Sequence, residues 1–427
     1  FFTPELTHTI FEVIVKVLST SKTLTVNLYR DIHWVLIQLI KTLYEYAPSF
    51  SDHIFFITDT GVKSESPDFN IISYHFWSQV WSFEKKYLDQ IKQERGQQVT
   101  IQTNGEITST DLPETRETLV AHYSSQLFEQ GCYLLFKINP SSTINYFDSE
   151  YSFVDYIITT LTSVFESILY DSKTALILPH IFDRINSFLE NSKEEDKVKN
   201  DYLAINLMNA LMFKHTNLEI FDFVQSKLPC IFEFSQLPVF PVQTFSIQLI
   251  TNFLHFSNQN VFTNPDYFEM LSKTIQVLSE LPPQLSSKAL FIIQVISEQS
   301  SKNFLDNHFE FFLSILEKKF SDIEFRQSEY SRSLYLALMS LFQYSGDNSF
   351  DQMMNYFQQS IDFYKKSFDS QIFVSEMDQT WFLDPFFSII DRIQSTNCSI
   401  AILQKRNQAK PIIAELLDIL MKTKNTS

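Results

Sequence analysis

From Leu285 the apolar residues Leu285, Ala289, Ile292, Ile293 and Ile296 fall at i, i+4, i+7, i+8 and i+11. That spacing lays one stripe along an α-helix of about four turns. A polar break follows at Ser300-Ser301-Lys302-Asn303, and the spacing then resumes with Leu305, Phe309, Phe312, Leu313 and Leu316. Two striped helices joined by so short a polar turn predict an antiparallel hairpin. The design recurs on both sides. Upstream, Val242, Phe245, Leu249 and Phe253 make a first stripe and Leu271, Ile275 and Leu278 a second, with Pro265 in the loop between them. Downstream, Tyr330, Leu334, Leu338 and Leu341 open a hairpin that Met353, Met354, Phe357 and Ile361 close.

First helices therefore start near residues 203, 242, 285 and 330, a spacing of roughly forty to forty-five residues, which is the period of HEAT and armadillo units. Only the pattern repeats; the residues do not. Such a hairpin cannot bury both apolar faces alone, so hairpins must stack and share one continuous core. The expected fold class is all-α, a HEAT-repeat α-solenoid of antiparallel hairpins coiled into a right-handed superhelix with a long inner groove. Composition agrees: there are only 5 glycines and 43 phenylalanines among 427 residues, which suits long helices better than many-stranded sheets with glycine turns. A chain of this length also exceeds what one compact core usually supports.

The stretch YHFWSQVWSF, Tyr74 to Phe83, tests this reading, because its rings could be displayed or hidden. Phe76, Val80 and Phe83 fall at i, i+4 and i+7, and Trp77 and Trp81 form a second row beside them. Large rings at helical spacing predict a core helix. The expected organisation is one solenoid segment over 1–427: first helical hairpins over 1–95, a mobile polar insertion over 96–118 that contains Asn104-Gly105 and Pro113, and further hairpins over 119–427. The charged run NSKEEDKVKND, Asn191 to Asp201, reads as a solvated loop between helices. The chain starts on phenylalanine without the layout of a signal peptide, as expected of a piece of a longer protein.

The formal charge of −17 comes without any basic block, which argues against direct nucleic-acid binding and for attraction to basic polypeptides. Cys132, Cys230 and Cys398 are far apart with no C-x-x-C, as expected in a reducing compartment. The longest charge-free stretch, Phe234 to Pro265, is interrupted by Gln243, Thr244, Gln248, Thr251 and Asn252, and predicts no membrane insertion. Glycines at 61, 96, 105, 131 and 346 build no phosphate-cradling loop and no nucleophile elbow. The nine histidines include no zinc-holding pair; His33 and His75, each beside an aromatic residue, read as partly buried core side chains. No carboxylate pair is spaced for acid–base work. We expect no enzyme, no metal and no cofactor.

In a solenoid the second helix of each unit lines the inner face. Opposite the apolar stripe of the helix near Phe304 lie Asp306, Glu310 and Glu317; preceding second helices contribute Glu269, and Glu219 with Asp222. All are acidic, so the expected partner-binding face is an anionic groove for basic cargo.

Phe76-Trp77 within IISYHFWSQVW resembles the Phe-Trp helix of β-karyopherins, the HEAT-repeat nuclear transport receptors. A polar, acidic loop and then ETRETLVAHYSSQLFEQ follow it, with Arg116 where that family often has an arginine opening the next helix. PPQLSSKALFIIQVISEQSSKNFLDNHFEFFLSIL resembles the central repeat of the transportin-SR and importin-thirteen branch, and the hairpin from Tyr330 to Gln371 keeps step. In pattern the resemblance covers most of residues 30 to 425; it departs at Ser78, where the family has a second aromatic residue. It implies a receptor that shuttles between nucleus and cytoplasm, most readily in import. The implied partners are the GTPase Ran, gripped by repeats upstream of Phe1, basic cargo such as RNA-binding proteins, and nucleoporins. The alternative is a helical-repeat scaffold or adaptor without a GTPase switch. No binding residue of the family is carried over.

Overall fold

Every regular element of the computed structural model is helical among the residues it describes, 4–20, 24–101, 118–138, 150–170, 177–190, 196–212, 217–237, 239–256 and 264–369, with Lys410 and Ala414. The chain divides into two compact units, Phe1–Phe223 and Val224–Ser427.

The first unit opens with α1 (Pro4–Thr20). Four first helices follow: α2 (Val26–Thr42), α4 (Pro67–Ile101), α7 (Glu150–Tyr170) and α9 (Lys197–Met212). Each packs beside the next. Their partners are α3 (Ser51–Val62), α6 (Ser124–Lys137), preceded by the single turn α5 (Leu119–His122), and α8 (Leu178–Glu190). The helix α10 (Leu218–Phe234) carries the boundary to the second unit. There the first helices are α11 (Phe240–Phe256), α13 (Pro283–Gln299) and α16 (Arg332–Tyr344), and the second helices α12 (Pro265–Ser279), α14 (Lys302–Ser321) and α17 (Phe350–Asp369), with the short α15 (Ile323–Gln327) after α14.

In both units a second helix packs more closely on the first helix of the following pair than on its own: α3 on α4, α6 on α7, α8 on α9, α12 on α13, and α14 on α16. The stacking between units of repeat, not the hairpin itself, buries the stripes. The predicted stripes of α11 through α14 are all buried, as are Leu334, Leu338 and Leu341 of α16 and Met353 and Ile361 of α17. Met354 is half-buried.

The aromatic stretch is core. Tyr74, Phe76, Trp77, Val80 and Trp81 are buried in α4. Their polar atoms find partners: Tyr74 Oη donates to the Leu127 carbonyl (2.8 Å), Trp77 Nε1 to Thr58 Oγ1 (3.1 Å) and Trp81 Nε1 to Glu166 Oε2 (2.7 Å). Buried phenol and indole donors left unpaired are costly, so these bonds fix where α3, α6 and α7 sit along α4. Close approach requires glycine at two of these contacts. A Cβ on Gly61 of α3 would overlap Ser73 and the Tyr29 hydroxyl, and one on Gly131 of α6 would overlap the Tyr74 hydroxyl and Leu161.

Five sequence-based boundaries are corrected, the first being Pro265, which opens α12 behind the cap Asn264 instead of standing in a loop. The proposed insertion begins too early, because α4 continues through Gly96 to Ile101; Thr118 at its other end caps α5, its hydroxyl accepting from the Ala121 N–H at 3.1 Å. Residues 102–117, Arg116 among them, lie outside the described residues. Residues 197–201 of the supposed loop form the start of α9, where Asn200 and Asp201 are buried. The sequence carries no stripe to mark the start of α9, because the helix is buried on every face from Asn200 to Met212. Tyr330 stands in a turn before α16, and α15, unforeseen, is capped by Asp322, whose Oδ1 accepts from the Phe325 N–H at 3.0 Å.

His33 is buried, with Nδ1 2.9 Å from the Tyr29 carbonyl, and His75 is half-buried. Cys132 is a buried free thiol, and Cys398 lies outside the described residues. By length and hydropathy the Phe153–Tyr170 part of α7 could cross a membrane, but Val154, Ile157, Leu161, Val164, Phe165 and Ile168 are buried, and α7 packs against α4, α6 and α9.

Candidate partner-binding surface

The acids singled out in the sequence all lie on second helices. Glu219 is in the first turn of α10, where Asn217 Oδ1 accepts from the Glu219 backbone N–H at 2.8 Å, and Asp222 follows one turn later; both carboxylates are exposed. These two belong to the first unit.

In the second unit α12 and α14 pack side by side and bring Glu269 onto the same pair of helices as Asp306, Glu310 and Glu317. Their environments differ. Glu269 is exposed and pairs with Lys273 one turn on (2.6 Å), which holds its carboxyl below the usual range. Glu310 is exposed and accepts from Gln352 Nε2 of α17 at 2.7 Å. Asp306 is half-buried, accepts from Ser349 Oγ at 2.5 Å and lies against Gly346, where any Cβ would overlap its carboxylate. Glu317 is half-buried, and burial pushes its carboxyl up.

Asp306 and Glu310 therefore face the turn into the next second helix, α17, as well as solvent. Their hydrogen bonds to Ser349 and Gln352 leave lone pairs free, so a basic ligand can still be accepted. Between α12 and α14 runs a seam that the acidic pattern did not announce. The His308 ring packs at a tilt against Phe268 and Phe304, with centroids 4.1 and 4.6 Å away, and Phe311 meets Phe268 edge-on at 6.3 Å. Burial lowers the His308 pKa and so favours its neutral ring in this aromatic seam. The signal was present in the sequence as Phe304 and Phe311 off the main stripe of α14, but spacing alone could not assign them to a neighbour.

No group of three or more His, Cys, Asp or Glu side chains that could hold a metal exists among the described residues.

No family model and no curated protein matches the sequence. Solved structures do match. Importin-β crystallised in polyethylene glycol superposes with a TM-score of 0.73 at 13% identity, covering 100% of this chain and 48% of that one. Kap95p, in the structure titled for its induction of the GTP-bound conformation in the switch loops of RanGDP, matches with a TM-score of 0.67 at 12% identity over 97% of this chain and 45% of that one. Kap121p bound to Nup53p matches with a TM-score of 0.65 at 11% identity over 98% and 36%. The fold is that of the HEAT-repeat α-solenoid of these transport receptors. The chain spans less than half of the length of each.

Proposed function

We propose that this chain is a stretch of a nuclear transport receptor of the β-karyopherin kind, which binds cargo without catalysing a reaction. The observation that supports it is the superposition of the whole chain, not one hairpin of it, on importin-β. The acids of the second helices support basic cargo: Glu219, Asp222, Glu269, Asp306, Glu310 and Glu317 would draw a basic segment by many screened contacts, aided by a formal charge of −17. Control by Ran, contact with nucleoporins, import as the direction, and shuttling between nucleus and cytoplasm complete the reading. What supports these parts of the reading is what the matched receptors are seen with, Kap95p with Ran and with Nup1, Kap121p with Nup53p and with Pho4p. Placement in the transportin-SR and importin-thirteen branch rests on the residues quoted above alone.

The test is binding of the full-length protein to Ran loaded with GTP or GDP, together with a basic cargo segment. Preferential binding of GTP-loaded Ran, with release of the segment, is expected. Reversal of Asp306, Glu310 and Glu317 to lysine should weaken the segment's binding at low salt. Absence of any Ran binding sinks the receptor reading in favour of a scaffold without a GTPase switch, and unchanged affinity in the reversed protein removes the groove assignment.

A further inference from the structure

Glu84 of α4 is fully buried, and its carboxyl group belongs to none of the surfaces described above. A carboxyl group sealed from water needs hydrogen-bond partners inside the fold. Tyr44 Oη donates to Oε1 at 2.7 Å, the Leu119 N–H to Oε1 at 2.6 Å and the Val120 N–H to Oε2 at 3.2 Å. Those two amides open α5, where a helix has no acceptors of its own, and Thr118 takes the next one, from Ala121. The start of α5 is thus capped partly by its own chain and partly by another helix.

The path of the chain gives this contact its meaning. From Glu84, α4 runs on to Ile101, about 25 Å further along its axis, and residues 102–117 follow before the chain is back at the same carboxyl group with Leu119. Residues 85–118 therefore form an excursion whose two ends meet at one side chain. The landing point is held on its other flank as well. Tyr123, between α5 and α6, donates from Oη to Asp52 Oδ1 at 2.6 Å and stacks its ring on Phe55 at 4.5 Å, both partners lying in α3. Tyr44 comes from the 3-10 turn Tyr44–Ser49 that precedes α3. A long connection places its far end only weakly, because closure entropy changes with the logarithm of length, so the seat of α5 has to come from contacts such as these.

We infer that Glu84 is a clamp at the base of this excursion, so that cleavage, modification or partner binding within 102–117 leaves α5 and α6 seated on α3 and α4. The clamp works by accepting hydrogen bonds, not by filling space. A glutamine at this position has nearly the same volume but one acceptor oxygen in place of two, and it turns an amide donor toward a backbone donor. The inference concerns the stacking of the first unit and holds for a receptor and for a scaffold alike.

The experiment follows amide hydrogen exchange in the full-length protein, resolved at Leu119 and Val120 and over α6. Glu84→Gln should speed exchange of those two amides about tenfold, and Glu84→Ala at least as much. In a second arm a protease site is introduced at Gly105 and cut to completion, with Glu84 untouched. The cut protein should keep Leu119, Val120 and α6 as protected as in the uncut chain, and this arm decides the matter alone if the Glu84 variants fail to fold. Unchanged exchange in Glu84→Gln overturns the clamp, because a side chain that only fills space tolerates its isostere. Loss of protection at Leu119 and Val120 on cutting overturns it as well, since the connection and not the carboxyl group would then hold α5. Neither result bears on Ran or on cargo.

Discussion

The helices α4 and α13 occupy equivalent places in their units, and they fill those places with different chemistry. Each is flanked by two first helices, α2 and α7 for α4, α11 and α16 for α13, and each receives the preceding second helix, α3 or α12. Around α4 the core is aromatic and fastened: Tyr74, Trp77 and Trp81 each spend a polar atom on a neighbouring helix. Tyr29 and Ser73 add a buried hydroxyl contact of 2.6 Å. Around α13 the core is aliphatic, with Leu285, Leu290, Ile292, Ile293, Val295 and Ile296 buried. The hydroxyls of α13 turn back on their own helix, Ser297 Oγ donating to the Ile293 carbonyl at 2.8 Å, and its cross-helix bonds lie outside the buried core, Gln299 Nε2 donating to the His255 carbonyl of α11 and Ser340 Oγ of α16 to Glu298 Oε1. The stacked-pair architecture fixes volume and spacing but leaves side-chain chemistry open, which is why only the pattern recurs along the sequence. What the fastened version adds is register, since a ring bonded across helices cannot slide by a turn.

The comparison breaks if the two cores respond alike to substitution. Trp77 is the largest fully buried side chain among the described residues, and Trp77→Ala should cost about 3–5 kcal/mol. Ile293→Val, which removes one methylene from the aliphatic core, should cost about 0.5–1.5 kcal/mol. Hydrogen exchange followed separately in the two units is the proper readout, because a chain of two units need not unfold in one step. Trp77→Ala should lower protection in α3, α4 and α6; if it leaves those amides as protected as before, the indole is not a fastener.

The cores also differ in how they meet acid. His33 in the first unit is held neutral by burial, its pKa pushed down to about 4, although its bond to the Tyr29 carbonyl opposes the shift. The unfolded histidine takes up a proton near 6.5 and the folded one does not. This group's contribution is therefore complete above pH 6.5 and is lost as pH falls toward 4, by at most about 3 kcal/mol. Asp201 acts in the opposite sense: burial raises its carboxyl to about 6, with Lys197 opposing. Its contribution is complete below the ordinary aspartate range and is lost as pH rises to 6. His33→Gln should thus flatten or invert the pH dependence of protection in the first unit between pH 6.5 and 4, while leaving that of the second unit unchanged. An unaltered profile in the first unit would show that His33 is protonated in the fold.

The stripes of α11 through α14 were legible because each has one buried face, and the match of those residues to the structure follows from the 3.6-residue period alone. The helix α9 was legible only in part, because burial on all sides erases the contrast that periodicity reads. Likewise α15 is a single capped turn, too short for any period. The acids of the candidate surface stand on second helices, and their neighbours were not foreseeable: nothing in the spacing of Asp306 shows that Ser349 will lie 2.5 Å from it.

The smallest expected effect separates surface from fastener on one helix. Glu310 and Leu313 are neighbours on α14, the first exposed and the second 8% exposed. Leu313→Ala should cost about 2–5 kcal/mol, as buried leucines do, whereas Glu310→Ala should change stability by no more than about half a kcal/mol. The contact from Gln352 to Glu310 is exposed, and water replaces such a bond at little cost. A loss of more than about 1 kcal/mol in Glu310→Ala, measured by denaturant unfolding of the second unit's amides, would mean that α17 is held onto α14 through this carboxylate. Glu310 would then be a fastener of the kind found around α4, committed to the fold and no longer available to a partner.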